Sequence, residues 1–183
     1  MAEISKFTSR LIKIVLTGAE CSGKTTLAND LAKYFDAPIR MEYARAYLTV
    51  RNGIYDQSDI IKIARYQSSI ENEITSNKPP LLICDTDFLV LKIWSELKYG
   101  LCDSWINEQF HSDQVDLYIL PHFNIPYQQD PLREHPDKRH ILFQLYEDTL
   151  IQHHLPHLIV HGNEKQRLSQ SIDAIRSLIQ GKS

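Results

Sequence analysis

The stretch Gly18-Ala19-Glu20-Cys21-Ser22-Gly23-Lys24-Thr25 fits the phosphate-binding pattern GxxxxGK[ST] at every fixed position. It constrains the fold more than any other segment. An apolar strand-like run (Leu11, Ile12, Ile14, Val15, Leu16) precedes it, and a helical pattern follows. In that setting the two glycines let the backbone curl and aim successive N–H groups at phosphate oxygens. The following helix adds the positive end of its dipole, Lys24 brings a point charge for the outer phosphates, and Thr25 offers a hydroxyl to Mg²⁺. The expected nucleotide-binding residues are therefore Gly18, Ala19, Glu20, Cys21, Ser22, Gly23, Lys24, Thr25 and Thr26. The expected cofactors are ATP and Mg²⁺. A GTPase is disfavoured, because the chain has neither an NKxD guanine motif nor a DxxG switch motif.

The rest of the chain repeats the strand–helix alternation. Leu27, Leu31 and Phe35 recur at helical spacing after the loop. A short strand is predicted at 38–41, followed by helices over 42–50 and 56–76. Asn77-Lys78-Pro79-Pro80 is a break. The continuous apolar run Leu81-Leu82-Ile83-Cys84 reads as a strand buried on both faces. Helices are predicted at 88–98 and 103–111, then a strand at 117–120. The segment 121–139 carries four prolines and reads as irregular. A helix over 137–153, a strand at 158–160 and a helix over 165–179 complete the pattern.

Strands separated by helices imply an α/β protein with a parallel sheet, right-handed crossovers and helices on both faces. Ligands of such sheets bind beyond the carboxyl ends of the strands. The loop, Glu42, Asp85, Pro121 and His161 all follow predicted strand ends, so they should converge on one rim.

At 183 residues, the chain is long enough to bury its own core, and one domain over 1–183 is expected. A polar tail covers 1–10 and a lid region 121–139. A net charge of −3 argues against a nucleic-acid partner. Three cysteines without a CxxC pair argue against a disulfide framework and suit a reducing cytoplasm. The tail lacks the apolar stretch of a signal peptide, and no run approaches a membrane span. The expected partner is a small molecule. The HHxxH run at His153, His154 and His157 lacks a supporting ligand pattern, and reads as surface or core-edge histidines.

Several residues are candidates for chemistry. Asp85 ends the apolar strand and is placed to hold Mg²⁺ beside Thr25, or else to cap the next helix. Asp87 shares its side in an extended backbone, so both carboxylates are expected to face one cleft. Glu42 is placed to accept a proton from a substrate hydroxyl or to bond a ribose diol, with helix-dipole compensation as the competing role. Arg45, one turn later, pairs with Glu42 or reaches a phosphate. Arg133 and Arg139 lie six apart around Pro136 and are candidates to close over the transferring phosphoryl group, against the alternative of a solvated loop. Cys21 is either a neutral filler or a thiol that bound nucleotide shields from alkylation.

Gly18 through Leu27, the segment Glu42-Tyr43-Ala44-Arg45, the run Asp85-Thr86-Asp87 and the arginine-bearing loop together resemble a known family. They are similar to the ribosylnicotinamide kinase domain of the bacterial bifunctional NAD-biosynthesis regulator. The resemblance implies a phosphate-loop kinase-like three-layer αβα sandwich with a five-stranded parallel sheet and an arginine-bearing lid. It implies transfer of the ATP γ-phosphate to the 5′-hydroxyl of nicotinamide riboside. It places Lys24 and Thr25 at phosphate and Mg²⁺, Asp85 at the metal or reacting hydroxyl, Glu42 or Asp87 at the substrate, and Arg133 and Arg139 in the lid. That substrate carries a cationic ring, which makes Tyr43 and Tyr127 candidate stacking partners. Where the family pattern has a tryptophan and an aspartate-glycine turn in the lid, this chain has Tyr127 and Asp130-Pro131. With the loop beginning at residue 18, no adenylyltransferase or DNA-binding segment is expected ahead of it. Kinases of another nucleoside or small alcohol, and a regulatory ATPase, are the competing readings.

Overall fold

The computed structural model describes residues 10–124 and 139–181. The elements alternate as the pattern requires: β1 (Ile12–Leu16), α1 (Lys24–Phe35), β2 (Ile39–Arg40), α2 (Ala44–Val50), α3 (Gln57–Ser76) and β3 (Leu81–Asp85). They continue with α4 (Phe88–Tyr99), α5 (Ser104–Ser112), β4 (Leu117–Pro121), α6 (Arg139–Gln152), β5 (His157–Val160) and α7 (Glu164–Gln180). Among the described residues, the five strands form one parallel sheet in the order β2-β3-β1-β4-β5. Ile14 stands opposite Ile83 on one side and Leu117 on the other.

The sheet is covered on both faces, which is why β1, β3 and β4 are buried throughout. Successive side chains point to opposite layers. Ile12, Ile14, Leu16, Ile83 and Ile119 pack with Leu27, Leu31, Ile175 and Ile179 of α1 and α7. Val15, Leu82, Cys84, Tyr118 and Leu120 pack with Ile60 and Ile63 of α3, Leu89 and Leu91 of α4, and Phe143 and Leu150 of α6. The architecture is therefore the expected three-layer αβα sandwich.

Local chemistry sets the helix ends. Asp56 and Asp59 form a capping box at the start of α3, as Asn163 and Gln166 do for α7. Asp87 caps α4 and Asp103 caps α5. Observed boundaries depart from the predicted ones by one or two residues. The helix predicted from 42 starts at Ala44, and Pro121 is the last residue of β4 instead of the first of a loop. The predicted start at 137 lies outside the described residues; α6 is described from Arg139. Most of the expected lid, 125–138, is likewise outside them, and so are Tyr127 and Arg133. His153 packs its ring on Phe110 and His111 at 5.2 and 5.3 Å between centroids. Among the described residues no helix is long and apolar enough to cross a membrane.

Buried cations interrupt the apolar pattern of the strands. Lys13 sits inside central strand β1, only 4% exposed. Its ammonium bonds Glu71 of α3 and, at 2.7 and 2.8 Å, both oxygens of Asp113 after α5. Arg40 donates from Nε to the other Glu71 oxygen at 2.9 Å. Pairing of this kind offsets the desolvation cost of a buried charge.

Candidate active site

The loop between β1 and α1 is built around backbone that only particular residues accept. Gly18 has φ +120°, which favours glycine, and a Cβ there would lie 2.5 Å from Leu120 Cδ1 and force that buried side chain to shift. Gly23 stands at φ +85° as the N-cap of α1. It supplies no side-chain cap, and the first turn of α1 contains no acid. The helix N–H groups therefore point into the loop without a protein anion competing for them. Lys24 donates to the carbonyls of Gly18 at 2.9 Å and Ala19 at 2.7 Å.

Two arginines brace the loop, and one of them, Arg167, also lines the cavity over it. Arg139, at the start of α6, donates to the carbonyls of Cys21 (3.0 Å) and Phe123. Arg167 of α7, only 4% exposed, donates to Ser22 O at 2.7 Å, Gly162 O at 2.8 Å, His122 O at 2.8 Å and Asn124 Oδ1 at 2.6 Å. This one guanidinium ties the loop to the ends of β4 and β5. Sequence reading missed it, because an arginine in an amphipathic helix reads as a solvated face.

A cavity of about 920 Å³ opens over the loop. All nine expected nucleotide residues, Gly18 to Thr26, line it, together with Glu42 and Arg45. It continues past Val90 and Trp94 along one face of α4, and Tyr55 and Tyr146 also line it. Trp94 donates its indole N–H to the Tyr55 hydroxyl at 2.8 Å, and the Lys98 ammonium lies 3.6 Å from the Tyr55 ring centroid. Val90, Trp94 and Lys98 repeat every four residues. That spacing reads as core from sequence alone.

Glu42 lies beyond β2 on the cavity wall. Burial raises its carboxyl above the ordinary glutamate value, and nearby Asp85 adds to this, while Lys24, Arg45 and Arg40 draw it back. Asp85 is fully buried, and neither carboxylate oxygen has a hydrogen-bond partner of good geometry. Burial raises its carboxyl too, against the pull of the Thr25 hydroxyl and of Lys24. An unsatisfied buried carboxylate beside that hydroxyl fits a hard divalent cation. Among the described residues no cluster of three or more His, Cys, Asp or Glu could hold a metal by itself. Thr25 and Asp85 would therefore share the ion with the phosphates of the nucleotide.

Among the described residues, four expected site residues are absent from the cavity lining: Asp85, fully buried beside Thr25, Arg139, held on the Cys21 and Phe123 carbonyls, and two that stand elsewhere, Asp87 and Tyr43. The premise that Asp85 and Asp87 share a side fails at Thr86, whose φ of +70° breaks the extended backbone between them. Asp87 accepts from Leu89 N at 3.1 Å and from the Tyr118 hydroxyl at 2.9 Å, and burial pushes its carboxyl up to about 6. It is absent from the cavity lining, whereas Thr86 is present. Tyr43 is also absent from the lining. Its ring packs on Tyr66 at 4.0 Å between centroids and on Tyr47 at 5.8 Å. The aromatic wall is built instead from Tyr55, Trp94 and Tyr146.

The sheet order, the loop and its helix define a phosphate-loop protein of the α/β kinase-like class. More narrowly, the chain belongs to the family described as AAA domain, whose profile matches residues 13–167. Its curated relatives include the trifunctional NAD biosynthesis/regulator protein NadR of Escherichia coli (strain K12), 26% identical over 160 residues. The NadR protein of Salmonella typhimurium is 29% identical over 135 residues. These matches cover 82% and 72% of this chain but 38% and 32% of the relatives, so the chain spans about a third of their length. Among solved structures, a NadR protein in complex with NR superposes with a TM-score of 0.74 at 22% identity, covering 92% of this chain and 49% of that one. A deoxyadenosine kinase from M. mycoides does so at 0.64 and 16%, covering 91% and 100%. At those identities the likeness is one of fold.

Proposed function

We propose that this chain is an ATP-dependent kinase that phosphorylates the 5′-hydroxyl of nicotinamide riboside, working as a single domain in the cytoplasm. The carrying observation is the continuity of one cavity from the phosphate loop to an aromatic wall. A nucleotide switch needs only the loop. A phosphoryl transferase must also hold an acceptor in line with the outer phosphate. Val90 to Lys98 along α4 spans about 12 Å at the helical rise per residue, which matches the length of a nucleoside. The NadR relatives, one solved with NR bound, support the pyridine nucleoside as acceptor, and the deoxyadenosine kinase supports a nucleoside in general.

In this reading the loop N–H groups and the start of α1 bind the phosphates, and Lys24 leaves the Gly18 and Ala19 carbonyls for the outermost one. Glu42 takes the proton of the 5′-hydroxyl as its oxygen attacks, because burial has lifted the carboxyl towards the pH at which a base works best. Arg45, on the cavity wall, balances charge on the transferring group, and Arg139 keeps the loop in place through the Cys21 and Phe123 carbonyls. Thr25 and Asp85 would hold Mg²⁺, whose role when bound is to neutralise charge across the β- and γ-phosphates. Trp94, Tyr55 and Tyr146 bind the ring of the acceptor. Arg133 and Tyr127 belong to a lid over both substrates, and Asp87 serves the fold by capping α4.

The test is ATP consumption against a panel of nucleosides, with mass detection of the product. Nicotinamide riboside is expected to give its 5′-phosphate. Phosphorylation of a different nucleoside in its place replaces the acceptor. ATP binding with no product from any nucleoside overturns the kinase.

A further inference from the structure

Thr86 links the carboxylate offered to the metal with the one that caps α4, and it does so in a conformation that a β-branched residue resists. Its φ is +70°, in the left-handed region that favours glycine. Both of its backbone groups are held. Its N–H donates to Leu16 O at 3.0 Å, on the last residue of β1 before the phosphate loop. Its carbonyl accepts from Arg40 Nη2 at 2.6 Å. Arg40 is the last residue of β2 and only 2% exposed. Glu71 fixes the same guanidinium through Nε, and Glu71 is fixed in turn by Lys13. The remaining Arg40 nitrogen, Nη1, is buried without a hydrogen-bond partner.

The turn at Thr86 has a direct consequence. With extended backbone, Asp85 and Asp87 would project to one side of the strand. With Thr86 left-handed, Asp87 goes to Leu89 N and the Tyr118 hydroxyl, and Asp85 stays beside Thr25 and Lys24. The Arg40 and Arg45 charges are also near Asp85; Arg40→Lys keeps the Arg40 charge and removes only the fork. A strained peptide persists only where its surroundings over-determine it. Here the surroundings are β1 on one side and Arg40 on the other. We propose that Arg40 is a positioning residue: its bond to the Thr86 carbonyl latches the left-handed turn that aims the Asp85 carboxylate at the metal of a bound metal–nucleotide complex.

This inference rests on Asp85 being a metal-holding residue and is indifferent to which acceptor is phosphorylated. The full chain is titrated with an ATP analogue, with and without Mg²⁺, and the ratio of the two affinities is the magnesium gain. Arg40→Lys keeps a cation against Glu71, but its single ammonium lacks the planar fork that serves Glu71 and Thr86 together. The expected result is a tenfold or greater loss of the magnesium gain, with metal-free affinity within twofold of wild type. Adding Thr86→Gly, which accepts φ +70° without strain, should restore most of the gain. A merely structural arginine would lower both affinities together and would not be rescued by glycine.

An Arg40→Lys protein with the full gain overturns the latch, as does loss of metal-free affinity by the same factor. Should Arg40→Lys alone fail to fold, the double variant decides. Folded with near-wild-type gain it supports the latch; unfolded, or folded without the gain, it overturns it. A wild-type chain with no magnesium gain overturns it as well. Failure of nicotinamide riboside as acceptor leaves it standing.

Discussion

The proposed donor end of the cavity and its proposed acceptor end are built in opposite ways. The donor end is one continuous segment, Gly18 to Thr26, and acts mainly through backbone N–H groups and a helix terminus. The proposed acceptor wall draws Glu42 from just beyond β2, Tyr55 from the loop before α3, Trp94 from α4 and Tyr146 from α6, and would act through side chains. Backbone-built sites tolerate changes in side chains around them, provided the glycines and the anchoring arginines remain. Side-chain-built sites can change ligand by a single substitution. The contrast predicts that loop variants lose all turnover, whereas wall variants lose one substrate.

The largest expected effect is at the donor end. Lys24→Ala should lower kcat by at least about a thousandfold with the melting temperature kept, read by steady-state kinetics and thermal denaturation. Retained turnover would break the assignment of the loop. Next is Glu42→Gln, where kcat should fall by about 10²- to 10⁴-fold. Because burial raises the Glu42 carboxyl, wild-type kcat should climb with pH through a limb above the ordinary glutamate range, as the base becomes ionised. The glutamine variant should lack that limb. If both proteins show the same pH profile, Glu42 is not the base.

Trp94→Ala should raise acceptor KM by about thirtyfold, the equivalent of about 2 kcal/mol of lost stacking, with nucleotide affinity within twofold. Equal loss of both affinities would mean that the two ends are one energetic unit. Asp87→Ala removes a helix cap and a partner of the Tyr118 hydroxyl, so urea denaturation should show a loss of about 1–2 kcal/mol. A rise in acceptor KM without that loss would return Asp87 to the acceptor wall. The smallest effect concerns Cys21, which is half-buried in the cavity lining. Mg-ATP should slow its alkylation a few-fold, followed by mass spectrometry, and unchanged labelling would place the nucleotide elsewhere.

Much of this was legible in the sequence, for reasons that differ from element to element. The strands read clearly because a sheet covered on both faces demands continuous apolar runs, as in Leu81 to Cys84. The loop was read residue by residue because its chemistry depends on consecutive positions. Asp87 was misread because a period-2 argument assumes extended backbone, and nothing local announces a left-handed threonine. Tyr43 was misread because its neighbour in sequence lines the cavity, while its own ring finds Tyr66 a full helix away. Tyr55, Trp94 and Tyr146 were not picked out, since they lie on a loop and two separate helices and only the fold brings them to one wall. Arg40, Lys13 and Arg167 were passed over because charge patterning treats a lone cation as solvated.

The sequence by itself determined the phosphate loop, the alternation of strands and helices, and hence the rim on which a ligand must lie. Those properties follow from contiguous residues and from periodicity, and both survive in one dimension. Only the tertiary structure decided which carboxylate stays unsatisfied beside Thr25, which aromatics line the cavity, and which buried cations brace the loop and the turn at Thr86. Each of these depends on burial and on partners brought from distant parts of the chain, and desolvation acts on a group only once the fold has surrounded it.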